Sequence, residues 1–251
     1  MDTTIRQTVL ITGAGRGIGE AIARWFIEHN HDVILNYRRT QGKSAAGIER
    51  LREYAREHGV RAVSALGDIS ESRDVEKMFH ALTEQHGITQ LDHLILNAAA
   101  APFKPFTEMT RNDWKLLLGT NLTGNVACVT QAVKLMPRGS SICAISSLGS
   151  RRTLPNYPLG VMKAALEQLI RYLDVELRPQ GIRCNAICGG FVNTDMLPIL
   201  REKWPLMEYL ADDYIIEPSE IAEVAGFLSS KAASAIRGES VLVDAGMTLA
   251  F

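Results

Sequence analysis

The stretch PNYPLGVMK contains a phenol, Tyr157, and an ammonium, Lys163, which can act together if the fold brings them to one place. Six positions separate them, and on an unbroken helix that spacing leaves them about 120° apart around the axis. Pro158 changes this geometry. Proline suits a first helical position, and the residue before a proline is pushed towards extended backbone. Tyr157 is therefore expected just outside the helix that carries Lys163, pointing in a direction the helical wheel does not set. Its possible roles are a proton donor and a tyrosine that packs or hydrogen-bonds at the start of a helix.

A second group of residues suits an anion. VLITGAGRGIGEAIARWF places Gly13, Gly15, Gly17 and Gly19, with Arg16 and Ile18 among them, between an apolar run and an amphipathic one. Glycines there permit a tight turn and close backbone approach, so that a pyrophosphate can sit on N–H groups at the positive end of a helix. The competing reading is an ordinary glycine-rich strand-to-helix turn. After the next apolar run comes NYRRT, with no acid at residues 36–40 to accept bonds from both ribose hydroxyls. Arg38, with Arg39 and Arg16 in reserve, can pair with a 2′-phosphate instead, which favours NADPH (NADP+) over NADH. As solvated surface charges, the same arginines would carry no such meaning.

These residues need elements to hold them. The apolar runs TVLIT, DVILNY, RAVSAL, LDHLILN, SSICAIS, GIRCNAI and SVLVDAG read as about seven strands. Residues 18–29, 44–57, 71–86, 112–136, 158–177 and 218–229 read as helices between them. Such alternation predicts an α/β fold: a single-domain, Rossmann-type, doubly wound parallel sheet with helices on both faces. No repeat or linker divides residues 1–251, and the irregular stretch 193–216, rich in Leu, Met, Trp and Pro, is read as a helical cap or substrate lid. Leu166, Leu169, Leu173 and Leu177 form a stripe that fits either the core or a subunit interface.

Composition narrows the partners. A chain of 251 residues, 46% of them hydrophobic, can bury one substantial core. The formal charge of −1 and the lack of Lys/Arg runs argue against nucleic acid or an anionic membrane surface, leaving a small molecule as the expected partner. With neither a leader-like start nor an apolar run approaching a span, a cytoplasmic protein is expected. Cys128, Cys143, Cys184 and Cys188 lack metal-ligand spacing, no histidine cluster accompanies them, and they read as buried free thiols with no metal site.

TGAGRGIG resembles the TGxxxGIG turn of the short-chain dehydrogenase/reductase family, and the resemblance extends over nearly the whole chain. LGDIS resembles its adenine contact at Asp68 and Ile69, and LNAAA its NNAG segment at Asn97 and Ala98. GTNLTG contains its helix asparagine, Asn121, and GGFVNT resembles its PG-x-x-x-T turn through Gly189, Val192 and Thr194. The family pattern is broken at Leu96 and Ala99 and at Gly190, where a proline is usual. In the family, a Y-x-x-x-K pair puts tyrosine and lysine on one helix face; the lysine bonds the nicotinamide ribose and the phenol protonates a carbonyl. Here the tyrosine position is Leu159.

The flanking SSLGSRRTLPNYPLGVMK is similar to the enoyl-acyl-carrier-protein reductases of the same superfamily, which use Y-x6-K; this chain has Y-x5-K. The resemblance implies an NADPH-dependent enoyl-thioester reductase with Tyr157 as proton donor, Lys163 on the cofactor ribose and Asn121 holding a water near the lysine. Ser147 falls where ketone reductases carry a substrate-binding serine, so a carbonyl reductase or alcohol dehydrogenase is the alternative. A cofactor-binding protein without turnover is a third reading, which Leu159 permits. The implied substrate is a small molecule or an acyl chain borne by a carrier protein or coenzyme A, in fatty-acid synthesis or a dedicated pathway. The implied assembly is a homodimer or homotetramer.

Overall fold

The computed structural model describes residues 6–204, 207 and 210–250. Along the chain, β1 (Thr8–Ile11), α1 (Gly17–Glu28), β2 (Asp32–Tyr37), α2 (Lys43–Glu57), β3 (Ala62–Leu66), α3 (Ser72–Glu84) and β4 (His93–Leu96) alternate. They are followed by α4 (Arg111–Leu118), α5 (Gly124–Ala132), β5 (Ser141–Ile145), α6 (Leu159–Leu177), β6 (Arg183–Gly189) and β7 (Phe191–Val192). The last elements are α7 (Leu197–Lys203), β8 (Ile215–Ile216), α8 (Pro218–Ser229), β9 (Ser240–Val243) and α9 (Met247–Ala250).

The seven strands read from the sequence form one parallel sheet in the order β3-β2-β1-β4-β5-β6-β9, which organises the chain as a single Rossmann-like domain. The order reverses between β1 and β4, and doubly wound sheets form their ligand crevice at such a switch point. All residues of β4, β5 and β6 are buried, as expected of parallel strands covered on both faces. Along β1, Leu10 faces the core built with α3, α5 and α6, while Val9 and Ile11 face the one built with α1, α2 and α8.

One expectation needs correction and two others are sharpened. The helix expected over residues 112–136 ends at Ala132, and a wide π turn at Gly119–Thr123 interrupts it between α4 and α5. Its cause is Asn121, whose amide Nδ2 donates to the Leu117 and Ala100 carbonyls at 2.8 and 2.6 Å while Oδ1 accepts from the Ala100 N–H at 3.2 Å. The stretch 193–216 is more regular than expected, since it contains α7 and β8. β8 pairs with β7 in a separate two-stranded sheet, with strands too short to leave a period-two signal. The leucine stripe is core: Leu166 and Leu177 are buried, and Leu169 and Leu173 pack against the same cluster. The exposed apolar residues of α6 are Val161, Tyr172 and Val175 instead.

All four cysteines are free and buried. Among the described residues, no helix is long and apolar enough to cross a membrane.

Candidate active site

At the switch point, β1 leads into a glycine turn that backbone contacts hold very tightly. Gly13 and Gly17 have φ of +66° and +54°, in the left-handed region that glycine tolerates. A Cβ on Gly15 would lie 2.3 Å from the Ser44 carbonyl oxygen, and one on Gly19 would lie 2.3 Å from that of Gly13, so neither position admits a side chain. Arg16 precedes α1 with extended backbone, and no side chain caps the helix, which leaves its N-terminal end free to receive an anion. Ile18 packs against the core beneath, and Arg16 is exposed.

Other sequence-selected residues converge on this turn. Asn97 Nδ2 donates to the carbonyls of Thr12 and Gly13 at 2.9 and 3.1 Å, and the N–H groups of Asn97 and Ala98 donate to Thr12 Oγ1 at 2.9 and 3.0 Å. Thr194 stands opposite Gly17, its Cγ2 3.4 Å from where a Cβ would be. Gly189 ends β6 and Val192 ends β7. At Gly190 the departure from proline has a structural reason: its N–H donates to the Val243 carbonyl at 2.9 Å, a bond proline cannot make.

Arg38, just past β2, lies with Nε 3.8 Å from Asp68 Oδ2, while Asp68 Oδ1 accepts from the Ser70 N–H and hydroxyl. Ile69 is buried behind Asp68, and Arg39 is exposed. An uncapped helix start, a glycine-rich turn and an exposed guanidinium just past β2 are a donor set that fits a dinucleotide phosphate.

At the other end of the crevice, Lys163 is buried in the first turns of α6 and its Nζ donates to the Ile145 carbonyl at 2.6 Å. Burial pulls its pKa down to about 8, against the opposing pull of the Glu167 carboxylate. Tyr157 lies outside the helix, as Pro158 requires, after a turn in which Asn156 adopts a φ of +55°. Its hydroxyl is 3.4 Å from Ser147 Oγ, a distance that brings the two together as a long contact. Burial raises the Tyr157 pKa and the Ser147 hydrogen bond partly offsets this, so the phenol is protonated at neutral pH. Leu159 packs with Leu117 and Met162, in an apolar cluster that Tyr157 borders.

Asn121 is buried, but its side chain is fully engaged with Ala100 and Leu117. Its amide thus satisfies backbone groups at the interruption between α4 and α5. A cleft of about 450 Å³ lies along Asn193, Thr194, Asp195, Leu197, Pro198 and Arg201; none of Ser147, Tyr157 and Lys163 lines it.

Several residues of the site were not singled out from the sequence. Asn36 is buried in β2; its Nδ2 donates to the carbonyls of Ala65 and Gly67, and its Oδ1 accepts from the Gly13 N–H at 3.3 Å. Phe103 and Trp204 enclose Tyr157, with ring centroids 5.6 and 5.3 Å away. An amide directly after the apolar VIL of DVILNY was a signal for Asn36. Nothing local marks Phe103 or Trp204, which reach Tyr157 from distant segments.

Residues 13–248 match the family described as enoyl-(acyl carrier protein) reductase. The chain is 34% identical to the 1-cyclohexenylcarbonyl-CoA reductase of Streptomyces collinus, over 97% of its own length and 88% of the relative's. It is 27% identical to the 3-oxoacyl-(acyl-carrier-protein) reductase FabG of Staphylococcus epidermidis, over 97% of this chain and 99% of that one. Among solved structures, the angucycline C-6 ketoreductase LanV with bound NADP superposes with a TM-score of 0.87 at 28% identity, covering 97% of this chain and 96% of that one.

Proposed function

The chain belongs to the short-chain dehydrogenase/reductase family and is an NAD(P)H-dependent oxidoreductase, and we propose that it reduces the C=C bond of an enoyl thioester with NADPH, using Tyr157 as the acid. The observation that carries this reading is the displaced phenol. Tyr157 meets Ser147 from outside α6, while the helix position two residues on holds the buried side chain of Leu159.

The displacement suits the chemistry. In ketone reduction, negative charge develops on the oxygen of the carbon that accepts hydride. In an enoyl thioester, hydride reaches the β-carbon, the π pair shifts, and charge develops on a carbonyl oxygen farther along. An acid for that oxygen belongs farther from the hydride donor, as a tyrosine ahead of the helix would be. A nicotinamide cofactor supplies the hydride when bound. Tyr157, held protonated by its surroundings, donates to the thioester oxygen to give the enol, which becomes the saturated product as the α-carbon takes up a proton and the oxygen's proton returns to the phenolate. Lys163 contributes a buried cation beside the ribose. Trp204, Leu197 and Met207 form an apolar cover over Tyr157 that excludes water and suits an acyl group.

Preference for NADPH is supported by the missing acid at the end of β2 and by Arg38, held at the crevice by Asp68. The name of the Streptomyces collinus relative denotes an unsaturated acyl thioester, which accords with this reading. The Ser147–Tyr157 contact also suits a ketone, and the FabG and LanV relatives are named for ketoreduction.

The experiment follows NADPH absorbance with an enoyl and a β-ketoacyl thioester side by side, using the native chain and Tyr157→Phe. Selective enoyl reduction, reduced about a hundredfold or more in the variant, is expected. A preference for the keto substrate, or full activity in Tyr157→Phe, overturns the assignment.

A further inference from the structure

One turn along α6 from Lys163 stands Glu167, and both are buried, at 3% and 6% exposure. A carboxylate is removed from water only at a cost, unless charges and hydrogen bonds compensate it. Here the compensation comes from the loop of the site. Oε1 accepts from the hydroxyls of Ser146 and Ser150 at 2.6 and 2.5 Å, and Oε2 lies 4.0 Å from Arg151 Nε. Together, Lys163 and Glu167 tie Ile145, Ser146, Ser150 and Arg151 to one helix.

The loop so fastened carries Ser147, whose Oγ faces the Tyr157 hydroxyl. It also carries Gly149, where a Cβ would lie 2.6 Å from the Tyr157 ring. The serine and the surface on which the tyrosine rests thus lie between two residues held by one carboxylate.

We propose that Glu167 is a positioning residue for the reduction: it fixes Ser146 and Ser150, and so sets Ser147 and Gly149 against Tyr157, and it keeps Lys163 cationic within a site closed to water. The charged and titratable groups bordering the pair are Arg151 from the turn after β5, Cys188 from β6 and, acting on Cys188, Asp244 beyond β9. Arg151 is the cation on the far side of the carboxylate, and it also donates to the Ser240 carbonyl. Glu167 favours the protonated form of Lys163, opposing the burial that brings its pKa down to about 8.

The inference rests on Lys163 and Tyr157 acting in the reaction, and its test separates the two ideas. NADPH-dependent turnover is followed against pH for the native protein, Glu167→Gln, Ser146→Ala/Ser150→Ala and Lys163→Met. The native rate is expected to fall as pH rises through about 8 and Lys163 loses its proton. In Glu167→Gln that fall moves down by about one pH unit, and kcat at pH 7 drops about tenfold or more. The double serine variant keeps the charge, so it lowers kcat without moving the fall.

A purely structural glutamate would leave the pH profile where it was. An unmoved profile in folded Glu167→Gln, with activity lost in Lys163→Met, overturns the inference and spares the role of Lys163. Full activity in Lys163→Met overturns both. If Glu167→Gln does not fold, the serine variant decides: unchanged kcat overturns the positioning role, and a reduced kcat with an unmoved fall supports it.

Discussion

The indole N–H of Trp204 donates a 2.6 Å hydrogen bond to the carbonyl oxygen of Pro155, two residues ahead of Tyr157. The same indole packs nearly perpendicular to the Tyr157 ring, at an interplanar angle of 79°. A residue from beyond α7 thus pins both the turn that delivers the tyrosine and the tyrosine itself. Tyr157 lies just outside α6, where its carbonyl accepts from the Gly160 N–H at 3.1 Å, a backbone bond that does not set the direction of the ring.

Trp204→Ala is expected to lower kcat about ten- to a hundredfold while NADPH affinity stays unchanged, because misplacing an acid by about 1 Å has consequences of that size. Trp204→Phe keeps the ring but loses the N–H, and should fall between. Steady-state kinetics with cofactor titration checks both, and a change confined to cofactor affinity would count against the role.

Arg38 is an exposed cation held 3.8 Å from Asp68. Arg38→Asp should reduce kcat/KM with NADPH about tenfold or more, consistent with losing hydrogen bonds between charged partners, and should improve use of NADH. Comparing the two cofactors at equal concentrations measures the ratio, and an unchanged ratio refutes the assignment.

Acid should destabilise the fold through His93 at the start of β4 and His31 just ahead of β2. His93 is buried, contacts Ser141 Oγ through Nδ1 at 2.9 Å and lies 5.9 Å from the ring of His31. Burial, then the neighbouring His31 and Arg183, pull its pKa from 6.5 to about 3, and burial lowers that of His31 as well. A lowered histidine pKa means the unfolded chain binds the proton first. Stability is therefore full above pH 6.5 and declines as pH falls from there towards 3, by at most about 1.4 kcal/mol per pH unit for His93. Urea unfolding between pH 7 and 4 should show that slope, and His93→Gln should flatten it.

Much of the architecture was legible before the fold was known. The seven strands and the glycine turn depend on local properties: apolar runs long enough for a buried strand, and glycines where the backbone turns left-handed or approaches another chain segment within contact distance. The position of Tyr157 outside the helix was also legible, because Pro158 acts on its own neighbour. The missing acid after β2 was readable for the same reason.

Tertiary structure alone decided where Tyr157 points, because Gly149, Phe103 and Trp204 set that direction from three separate places in the sequence. It also converted Asn121 into a clamp on Ala100 and placed the leucine stripe of α6 in the core. Glu167 looks, by sequence, like one more charge on a helix; only packing against the turn after β5 buries it and gives its carboxylate two serines. Periodicity reports which face of an element is apolar, but a buried charge and a displaced phenol acquire their partners through long-range contacts, and those exist only once the chain has closed on itself.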